Sequence, residues 1–405
     1  MNITLLDSWL REFVDTDATP EEIKNYLSLC GPSVERINKV GNDYSYEIEV
    51  TTNRVDMFSV VGMAEEMVAI LPRFNRQAKF TKKYQDLAKI CKENVPNVNL
   101  IPLAIVDPNN LCRRVLGVVL DNVSIKPSPK LIADRLEASG IRSLNNVIDI
   151  TNYVMTEIGH PCHIFDYDRI RTAKLLIRHA KNDEKLVTLD NKEYQLNDQD
   201  VVIDDGTGRI IDLPGIMGTE NSVVTQSTKR ILLFIESNDP LVIRKTSMRL
   251  GIRTIAATIN EKSPDPSYAE IAIVRGVNLL QELAGAKVAS PLIDLYKNPI
   301  TAKPITVSQS FITNRMGIDL PVKEITGILS SMKFKVAAKS ANGKTIFKIT
   351  PPSWRQNDIE IPEDIVEEVA RIYGYHRLPN NIMTGEIPLT ARPLDLVWEE
   401  KVKNI

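Results

Sequence analysis

Four carboxylate side chains lie close together near the end of the sequence. They are Asp358, Asp364, Glu367 and Glu368. Pro362 suits the first position of a helix and Gly374 suits its end, so the last three acids, three and four residues apart, share one helix face. The first acid lies just upstream, on a strand-like approach. A hard divalent cation such as Mg²⁺ prefers oxygen ligands and would relieve the repulsion among the four acids.

The same helix offers a plainer explanation for its acids. Arg371 is within reach of both Glu367 and Glu368, because residues three and four apart are neighbours on a helix surface. Charged residues of both signs are typical of an ordinary solvated helix face. Spacing alone favours this interpretation over a metal site and leaves both open.

A second group of polar residues interrupts an apolar run in the middle of the chain. Its members are Asn145, Asn146, Asp149 and Asn152, followed closely by His160 and His163. Polar groups are costly to bury unless one another, the backbone or a ligand satisfies them. His163 could position a water or a ligand hydroxyl, although the residues alone favour a hydrogen-bonded structural histidine. No Ser-His-Asp order or nucleophile elbow accompanies it, so covalent catalysis is not supported.

Two further stretches have residues suited to ligand contact. Residues 213–218, Leu-Pro-Gly-Ile-Met-Gly, could bring backbone N–H groups to a substrate, but they lack the Lys-Ser/Thr ending of a phosphate loop. A tight turn between strands explains them better. A basic run with Arg244, Lys245, Arg249 and Arg253 suits phosphate contact, and a solvated helix face explains it equally well.

The composition is that of an ordinary soluble globular protein. The chain has 405 residues, 43% hydrophobic and 25% charged, with a formal net charge of -2. That length allows about two to four domains, and the balanced charge gives no basic field over the whole chain. The four cysteines are scattered without a CxxC pair, so a zinc site or disulfide framework is not expected. With no signal peptide and no apolar run of membrane length, we expect a cytoplasmic protein without membrane contact.

Periodicity predicts an α+β, multi-domain fold in which helices mix with irregularly spaced strands. We expect an N-terminal α/β unit at residues 1–85 that opens with a helical stripe over residues 5–13. Residues 40–43 make only a tight connection between two strands of this unit. A large mixed α+β unit follows at residues 86–299, entered through a basic, loosely patterned linker.

The C-terminal part has the pattern of a winged-helix-like unit at residues 300–378. Two helices, a two-stranded wing and the acidic helix follow one another, and Asn342-Gly343 suits the turn of the wing. The tail, residues 379–405, shows the amphipathic start of a further domain.

Taken in order, these motifs resemble the bacterial phenylalanyl-tRNA synthetase β subunit. The matching segments are TNRVD at 52–56, NNVIDITNY at 145–153, HIFD at 163–166, GIMG at 215–218, DP at 239–240 with RKT at 244–246, and the stretch 352–375 that opens with PSWR. The resemblance covers about residues 1–380, and the motifs are highly specific as a set.

The resemblance implies a fold and a place in a larger enzyme. Residues 1–85 correspond to the N-terminal β-subunit domain without its inserted oligonucleotide-binding fold, since residues 40–43 merely turn. Residues 86–299 correspond to the editing-type domain and 300–378 to the winged-helix-like domain near the α subunit. Residues 379–405 correspond to the start of a catalytic-like module, so the chain would be truncated before that module and the anticodon-binding domain.

The resemblance also implies a metal site and an editing pocket. Asp358, Asp364, Glu367 and Glu368 take the positions of the family's Mg²⁺ ligands, in a site shared with the α subunit. The residues implied for the editing pocket, which hydrolyses tyrosine wrongly attached to tRNA, are Thr151, His163, Ala256 and Glu236. In the family a bound water attacks the ester there, and polar groups select the tyrosine hydroxyl over the bare ring of phenylalanine.

The chain departs from the family at this pocket. The place of the family's usual glutamate is occupied by Phe234, and Glu236, two residues on along a strand, faces the same side and is placed to substitute for it. Pro214 and Ile255 also replace the usual alanine and acidic residue. These departures fit either an editing pocket that uses Glu236 or a degenerate pocket that no longer hydrolyses tyrosyl-tRNA(Phe).

As a whole, the resemblance implies a fragment of the β subunit of phenylalanine–tRNA ligase, a class II aminoacyl-tRNA synthetase. The complete α₂β₂ enzyme would use ATP and Mg²⁺ to join phenylalanine to tRNA(Phe), with the α subunit supplying the aminoacylation site. This chain alone is then expected to be inactive in aminoacylation. Two alternatives are a non-catalytic scaffold or tRNA-binding module and a free-standing hydrolase of misacylated tRNA.

Overall fold

The computed structural model describes residues 1–380 and 392–404. Helices pack against several separate sheets instead of alternating around one, so the predicted α+β class is confirmed. The segment expected at 379–405 lies partly outside the described residues. Among those that are described, no helix has both the length and the apolar character needed to cross a membrane.

The N-terminal part combines a three-stranded antiparallel sheet, ordered β1-β4-β3, with a two-stranded pair, β2-β5. Its elements are β1 (Asn2–Leu6), α1 (Asp7–Arg11), β2 (Val14–Thr16), α2 (Pro20–Cys30), β3 (Ser33–Val40), β4 (Asp43–Glu49), α3 (Val60–Ile70), β5 (Ala78–Phe80) and α4 (Lys82–Leu87). The predicted short connection between β3 and β4 is present, and Gly41 there has a φ of 61°, which a glycine adopts without strain.

The helical stripe predicted for residues 5–13 is wrong over its first residues. Leu5 and Leu6 belong to β1, where they pair with Tyr46 and Ser45 of β4, and the helix is confined to α1. A strand that runs directly into a short helix buries Leu5 and Trp9 just as a single helix would. The apolar spacing therefore did not distinguish the two, and pairing with β4 decided the outcome.

The central part contains two five-stranded sheets, ordered β14-β13-β12-β9-β6 and β16-β7-β15-β8, the second completed by β17 beside β7. Its strands are β6 (Ala104–Val106), β7 (Cys112–Asp121), β8 (His163–Asp166), β9 (Lys174–His179), β10 (Lys185–Val187), β11 (Glu193–Gln195), β12 (Val201–Asp204), β13 (Ile210–Leu213), β14 (Met217–Gly218), β15 (Ile231–Asn238), β16 (Lys287–Val288) and β17 (Ile293–Leu295). Its helices are α5 (Lys130–Ala138), α6 (Asn146–Ile158), α7 (Pro240–Leu250), α8 (Ile255–Asn260) and α9 (Tyr268–Ala284).

The strand β15 is buried on both faces, which explains its nearly continuous apolar sequence. Leu233 and Ile235 belong to the core shared with α6 and α9, whereas Leu232 and Phe234 belong to a separate apolar cluster between the two sheets. Because side chains alternate along a strand, Glu236 continues the face of Phe234. This alternation directs a carboxyl toward the space beside β13 and β14.

The C-terminal part has the three-stranded sheet β18-β20-β19 with three helices. Its elements are β18 (Ile305–Ser308), α10 (Gln309–Met316), α11 (Val322–Ser331), β19 (Lys335–Ala341), β20 (Lys344–Thr350) and α12 (Pro362–Tyr373); α13 (Leu394–Lys403) follows later in the chain. The predicted hairpin turn is present, with φ of 52° at Asn342 and 73° at Gly343. The helix α12 buries Ile365, Val369 and Ile372 and carries the acidic residues.

Candidate functional site

Two of the four acids predicted to bind metal are engaged by one buried arginine. Arg355 is 3% exposed, and its Nε donates to both carboxylate oxygens of Asp358, at 3.1 and 3.0 Å. Its Nη1 and Nη2 donate to the two oxygens of Glu368, at 3.0 and 2.9 Å. Asp358 lies in a turn before α12, not on a strand, so the expectation of a strand-like approach is wrong.

A second arginine joins Glu368 to the N-terminal part of the chain. Arg371 donates from Nη2 to Glu368 at 2.7 Å and from Nη1 to Glu66 of α3 at 2.7 Å. Glu66 also accepts from Arg54 at 2.5 Å, and Arg54 pairs with Asp56 at 2.7 Å. We call these seven residues the ion-pair network: Arg54, Asp56, Glu66, Arg355, Asp358, Glu368 and Arg371.

The arginines keep the two glutamates of the ion-pair network ionised. Burial by itself raises the pKa of Glu66, but Arg371 and Arg54 outweigh it and hold the pKa at about 2. Burial likewise opposes ionisation of Glu368, and Arg371 and Arg355 hold its pKa well below the ordinary value. The interpretation of this helix face as ordinary and solvated is therefore wrong for Glu368 and Arg371, which are 3% and 8% exposed.

The other two predicted metal ligands have different surroundings. Asp364 accepts hydrogen bonds from the backbone N–H groups of Glu360 at 2.7 Å and Ile361 at 2.9 Å. Its carboxylate therefore caps the N-terminal end of α12. Glu367 lines a surface cleft of about 470 Å³ together with Glu368 and Arg371. The four acids therefore divide among the ion-pair network, a helix cap and a cleft wall.

This arrangement does not by itself form a magnesium site. Within residues 1–380 and 392–404, no three His, Cys, Asp or Glu side chains converge to hold a metal ion. The oxygens of Asp358 and Glu368 already accept hydrogen bonds from guanidinium groups, which occupy the positions that a hard cation would need. The assignment of these four acids as Mg²⁺ ligands stays a prediction. In this chain alone their arrangement does not fit a magnesium ion, because Arg355 already donates to oxygens of Asp358 and Glu368.

We predict that Glu368→Gln lowers the free energy of unfolding by about 3–5 kcal/mol, because it leaves two buried guanidinium groups short of a counter-charge. Urea denaturation measures the loss. Glu363→Gln on the same helix is the matched control: Glu363 pairs with Arg315 at 3.3 Å on the surface, and its loss should cost about 1 kcal/mol or less. Equal effects of the two substitutions, or a wild-type melting temperature that rises on adding Mg²⁺ to the metal-free chain, would contradict this account.

A second site is a cavity of about 60 Å³ in the central part of the chain. The turn between β13 and β14 forms one side, and β15, α8 and the segment leading into β8 complete it. Three of the four residues predicted for an editing pocket line this cavity: His163, Glu236 and Ala256. The fourth, Thr151, is not among the lining residues, and its hydroxyl donates to the Ile148 carbonyl oxygen at 2.7 Å within α6. We call this space the carboxyl cavity.

Glu236, and not Phe234, brings a carboxyl to the carboxyl cavity. Phe234 is fully buried and packs edge-on against Phe165 at 5.7 Å between ring centroids. Two residues on, Glu236 accepts the backbone N–H of Gly215 at 2.7 Å. Gly215 has a φ of 68°, and a Cβ on it would lie 2.5 Å from the Asn238 side chain, so only glycine allows this close approach. Residues 213–218 thus form a tight turn that also brings backbone groups into the cavity.

A second carboxyl in the carboxyl cavity belongs to Asp212, which is 2% exposed. Burial raises the pKa of Glu236 to about 7, and the Gly215 N–H only partly opposes this shift. Burial and the neighbouring Glu236 raise the pKa of Asp212 well above its usual value. Within the described part of the chain, no lysine or arginine lines the cavity. The carboxyls are therefore poised to be neutral, or to share charge, near neutral pH.

His163 is a neutral neighbour of these carboxyls. Desolvation lowers its pKa to about 4, although its surface remains partly accessible. Its ring packs edge-on against Phe165 at 4.5 Å. A neutral imidazole can donate or accept a hydrogen bond and so orient a water or a hydroxyl, which makes positioning a better role for it than strong general-base catalysis.

Sequence reasoning missed Asp212 and Asn260 as lining residues of the carboxyl cavity. One signal for Asp212 was available, because an aspartate interrupts the apolar strand Ile-Ile-Asp-Leu of β13 and buried charge is costly. Nothing in the local pattern marks Asn260, which ends α8, a helix that the periodicity also missed. Of the basic run, Arg249 pairs with Asp200, and Arg253 pairs with Glu261 at 2.7 Å.

We predict that Glu236→Gln changes how stability depends on pH. An acid whose pKa rises from 4.5 to about 7 on folding favours the folded state fully below pH 4.5, and this contribution is lost as pH rises to about 7. The substitution removes the titration, so the variant should gain stability relative to wild type across that window. Paired urea denaturation curves at pH 4.5, 6 and 8 measure the difference. A constant difference across these pH values would show that Glu236 titrates normally.

Comparisons with known proteins match both parts of the chain that carry these sites. Residues 111–285 match a family model described as the B3/4 domain, and residues 305–375 match one described as the tRNA synthetase B5 domain. The carboxyl cavity lies within the first match, and α12 within the second.

Similar curated proteins share one description, phenylalanine–tRNA ligase β subunit. That of Clostridium tetani is 36% identical over 359 residues, covering 89% of this chain and 44% of the relative. That of Geobacter metallireducens is 39% identical over 337 residues, covering 83% and 40%. That of Rhodopirellula baltica is 32% identical over 392 residues, covering 96% and 55%. The chain thus spans about half the length of these relatives.

A solved structure is also similar at low identity. It is described as an N-terminal fragment of the phenylalanyl-tRNA synthetase β subunit from Pyrococcus horikoshii. The likeness covers 92% of this chain and 99% of that one, at 16% identity and a TM-score of 0.46.

Proposed function

Because the chain belongs to the family of phenylalanine–tRNA ligase β subunits, we propose that it serves as the editing-type and α-subunit-contacting portion of such a ligase. In the complete enzyme an α subunit would supply the aminoacylation site, and ATP and Mg²⁺ would drive attachment of phenylalanine to tRNA(Phe). The function that this chain's own geometry supports best is hydrolysis of tyrosine wrongly attached to that tRNA.

One observation carries the proposed hydrolysis: a buried carboxyl, Glu236, is held in the carboxyl cavity without a basic partner. The Gly215 N–H donates to one oxygen of Glu236. A tyrosine hydroxyl would donate a hydrogen bond to the other oxygen, whereas phenylalanine would leave that oxygen without a donor. Leaving a buried polar group unpaired is the kind of penalty that separates substrates strongly. The Gly215 N–H holds Glu236 at 2.7 Å, so its carboxyl is fixed before the ligand arrives.

In the hydrolytic step, water adds to the ester carbonyl and the bond to the ribose oxygen breaks. The O–H of the water becomes part of the carboxyl group of free tyrosine, and the leaving ribose oxygen takes the other proton to become the tRNA 3′-terminal hydroxyl. Neutral His163 would orient the water or the ester by a hydrogen bond. At about 60 Å³, the carboxyl cavity has room for a few water molecules, so entry of an aromatic ring would require side chains that line the cavity to move.

We predict that the chain releases tyrosine from tyrosyl-tRNA(Phe) faster than buffer does. His163→Ala and Glu236→Gln should each lower the rate about tenfold or more, because each removes a polar contact inside a desolvated site. Glu193→Gln, which affects an exposed carboxyl paired with Lys185 at 2.7 Å, is the matched control and should leave the rate unchanged. Release no faster than in buffer would reject hydrolysis.

A second role, a non-catalytic scaffold, is favoured by the ion-pair network. It fixes α3 of the N-terminal part against α12 through Glu66, Arg371 and Glu368. Arg73 of the N-terminal part also pairs with Glu324 of α11 at 2.6 Å. Such a joint would present a rigid face to a neighbouring subunit, and this role would remain if hydrolysis is rejected.

We predict that the isolated chain gives no ATP–pyrophosphate exchange with phenylalanine, because in the family the activating site belongs to the α subunit. A radiolabelled pyrophosphate exchange assay measures this. The same chain mixed with a purified α subunit is the positive control, and this mixture should give exchange. Exchange by the chain alone would contradict the assignment of activation to the partner.

A further inference from the structure

Asp212 contributes a carboxyl to the carboxyl cavity that neither the family resemblance nor the apolar pattern of its strand accounts for. It lies on β13, is 2% exposed, and lines the same cavity as Glu236, which is 6% exposed. No described lysine, arginine or histidine forms an ion pair with either carboxyl. Two buried acids without a counter-charge are costly for the fold when they are ionised, and when they are neutral they still need hydrogen-bond partners.

A third polar side chain in the carboxyl cavity has one atom without a hydrogen-bond partner among the described residues. Asn260 is 1% exposed and lines the cavity. Its Nδ2 donates to the Gly215 carbonyl oxygen at 3.1 Å, which fixes the orientation of the amide. Its Oδ1 is buried and accepts no hydrogen bond from the described residues. Buried polar atoms are rarely left this way unless a water or a ligand completes them.

All three side chains can accept a hydrogen bond from a ligand. The carboxyl of Asp212, the carboxyl of Glu236 and the amide oxygen of Asn260 can all accept hydrogen bonds. The Glu236 carboxyl already receives one donor from the Gly215 N–H, and the amide oxygen receives none. A ligand that complements the amide oxygen and the carboxyl oxygens must bring one or more hydrogen-bond donors, and an anion would be repelled by either carboxyl whenever that carboxyl is ionised.

We propose that Asp212, with Asn260 and Glu236, forms a receptor for a hydrogen-bond-donating group of an aminoacyl ligand, and that Asp212 is a specificity-determining residue of the site. This inference rests on the proposed function for the identity of the ligand as an aminoacyl group on a terminal adenosine. Two parts of such a ligand have this chemistry: the para-hydroxyl of tyrosine and the α-ammonium of any aminoacyl group.

The test measures binding, so that it does not depend on hydrolysis. The probes are 3′-amino-3′-deoxyadenosine acylated through a stable amide with tyrosine, with phenylalanine or with N-acetyltyrosine. Isothermal titration calorimetry compares the full chain with Asp212→Leu, which removes the acceptor at similar size, and with Asp212→Asn, which keeps an amide oxygen. Asp198→Asn, at an exposed carboxyl of the same part of the chain, is the matched control.

We expect wild type and the control to bind the tyrosyl probe at least tenfold more tightly than Asp212→Leu does, with Asp212→Asn between them. If the para-hydroxyl is the donor, the affinity for the phenylalanyl probe does not change when Asp212 is substituted, whereas the affinity for the N-acetyltyrosyl probe still falls. If the α-ammonium is the donor, the affinity for the N-acetyltyrosyl probe does not change when Asp212 is substituted, whereas the affinity for the phenylalanyl probe still falls. Either pattern supports the receptor.

Equal affinities of wild type, Asp212→Leu and Asp212→Asn for every probe would overturn the proposal, as would the absence of binding by wild type. Circular dichroism confirms that each variant is folded, and Asp212→Asn keeps the test decisive if Asp212→Leu does not fold. Hydrolysis of tyrosyl-tRNA(Phe) with no effect of Asp212 would reject the receptor and keep the proposed function. Binding that depends on Asp212, without any hydrolysis of tyrosyl-tRNA(Phe), would keep the receptor and reject the proposed hydrolysis.

Discussion

A buried carboxylate needs a counter-charge, and this constraint separates the two acidic sites of the molecule. Glu368 and Glu66 are desolvated, but Arg355, Arg371 and Arg54 keep them ionised. Glu236 and Asp212 are desolvated in the carboxyl cavity without such a partner, and burial raises the pKa of both. In the first arrangement every charge has a partner inside the fold, so removal of one partner is costly. In the second the fold provides no counter-charge for the carboxyls, which is typical of functional sites.

The ion-pair network explains why the acids of α12 belong to the architecture of this chain. Arg371 on α12 contacts Glu66 on α3, which lies 305 positions away in the sequence. Glu368, on the same helix as Arg371, therefore belongs to a contact between distant parts of the chain. Arg371 also donates to the Cys30 carbonyl oxygen at the end of α2, at 3.1 Å. A metal ion shared with another subunit would have to displace guanidinium groups that hold the N-terminal and C-terminal parts together.

Much of the local structure could be predicted from the sequence, because its causes are local. The turn at residues 40–43, the wing turn at Asn342-Gly343 and the course of α12 follow from glycine, proline and apolar spacing. The strand β1 could not be separated from a helix, because its apolar residues fit both periods and pairing with β4 decided between them. Long-range contacts decided the rest.

The candidate sites show the same division. The grouping of His163, Glu236 and Ala256 depends on family positions and on strand alternation, which the sequence contains. Asp212 approaches Glu236 only because two sheets meet, and Arg355 reaches Glu368 only because a turn folds back on α12. Helix spacing indicated the Arg371–Glu368 pair, which is present. No periodic pattern encodes the other meetings, so the sequence could not show that Arg355 also pairs with Glu368 or that Glu236 has no arginine.

Glu236 is buried in its cavity without a counter-charge from the described residues, and the roles given to the carboxyl cavity depend on this. Carboxyl-carbon NMR titration of the folded chain, with Glu236 assigned by comparison with Glu236→Gln, measures its pKa directly. We expect a pKa of about 7 for Glu236, and we expect the neighbouring Asp212 to affect the same titration curve. A pKa at or below the ordinary value of 4.5 would mean that a positive partner or bulk water reaches Glu236, and would contradict the account.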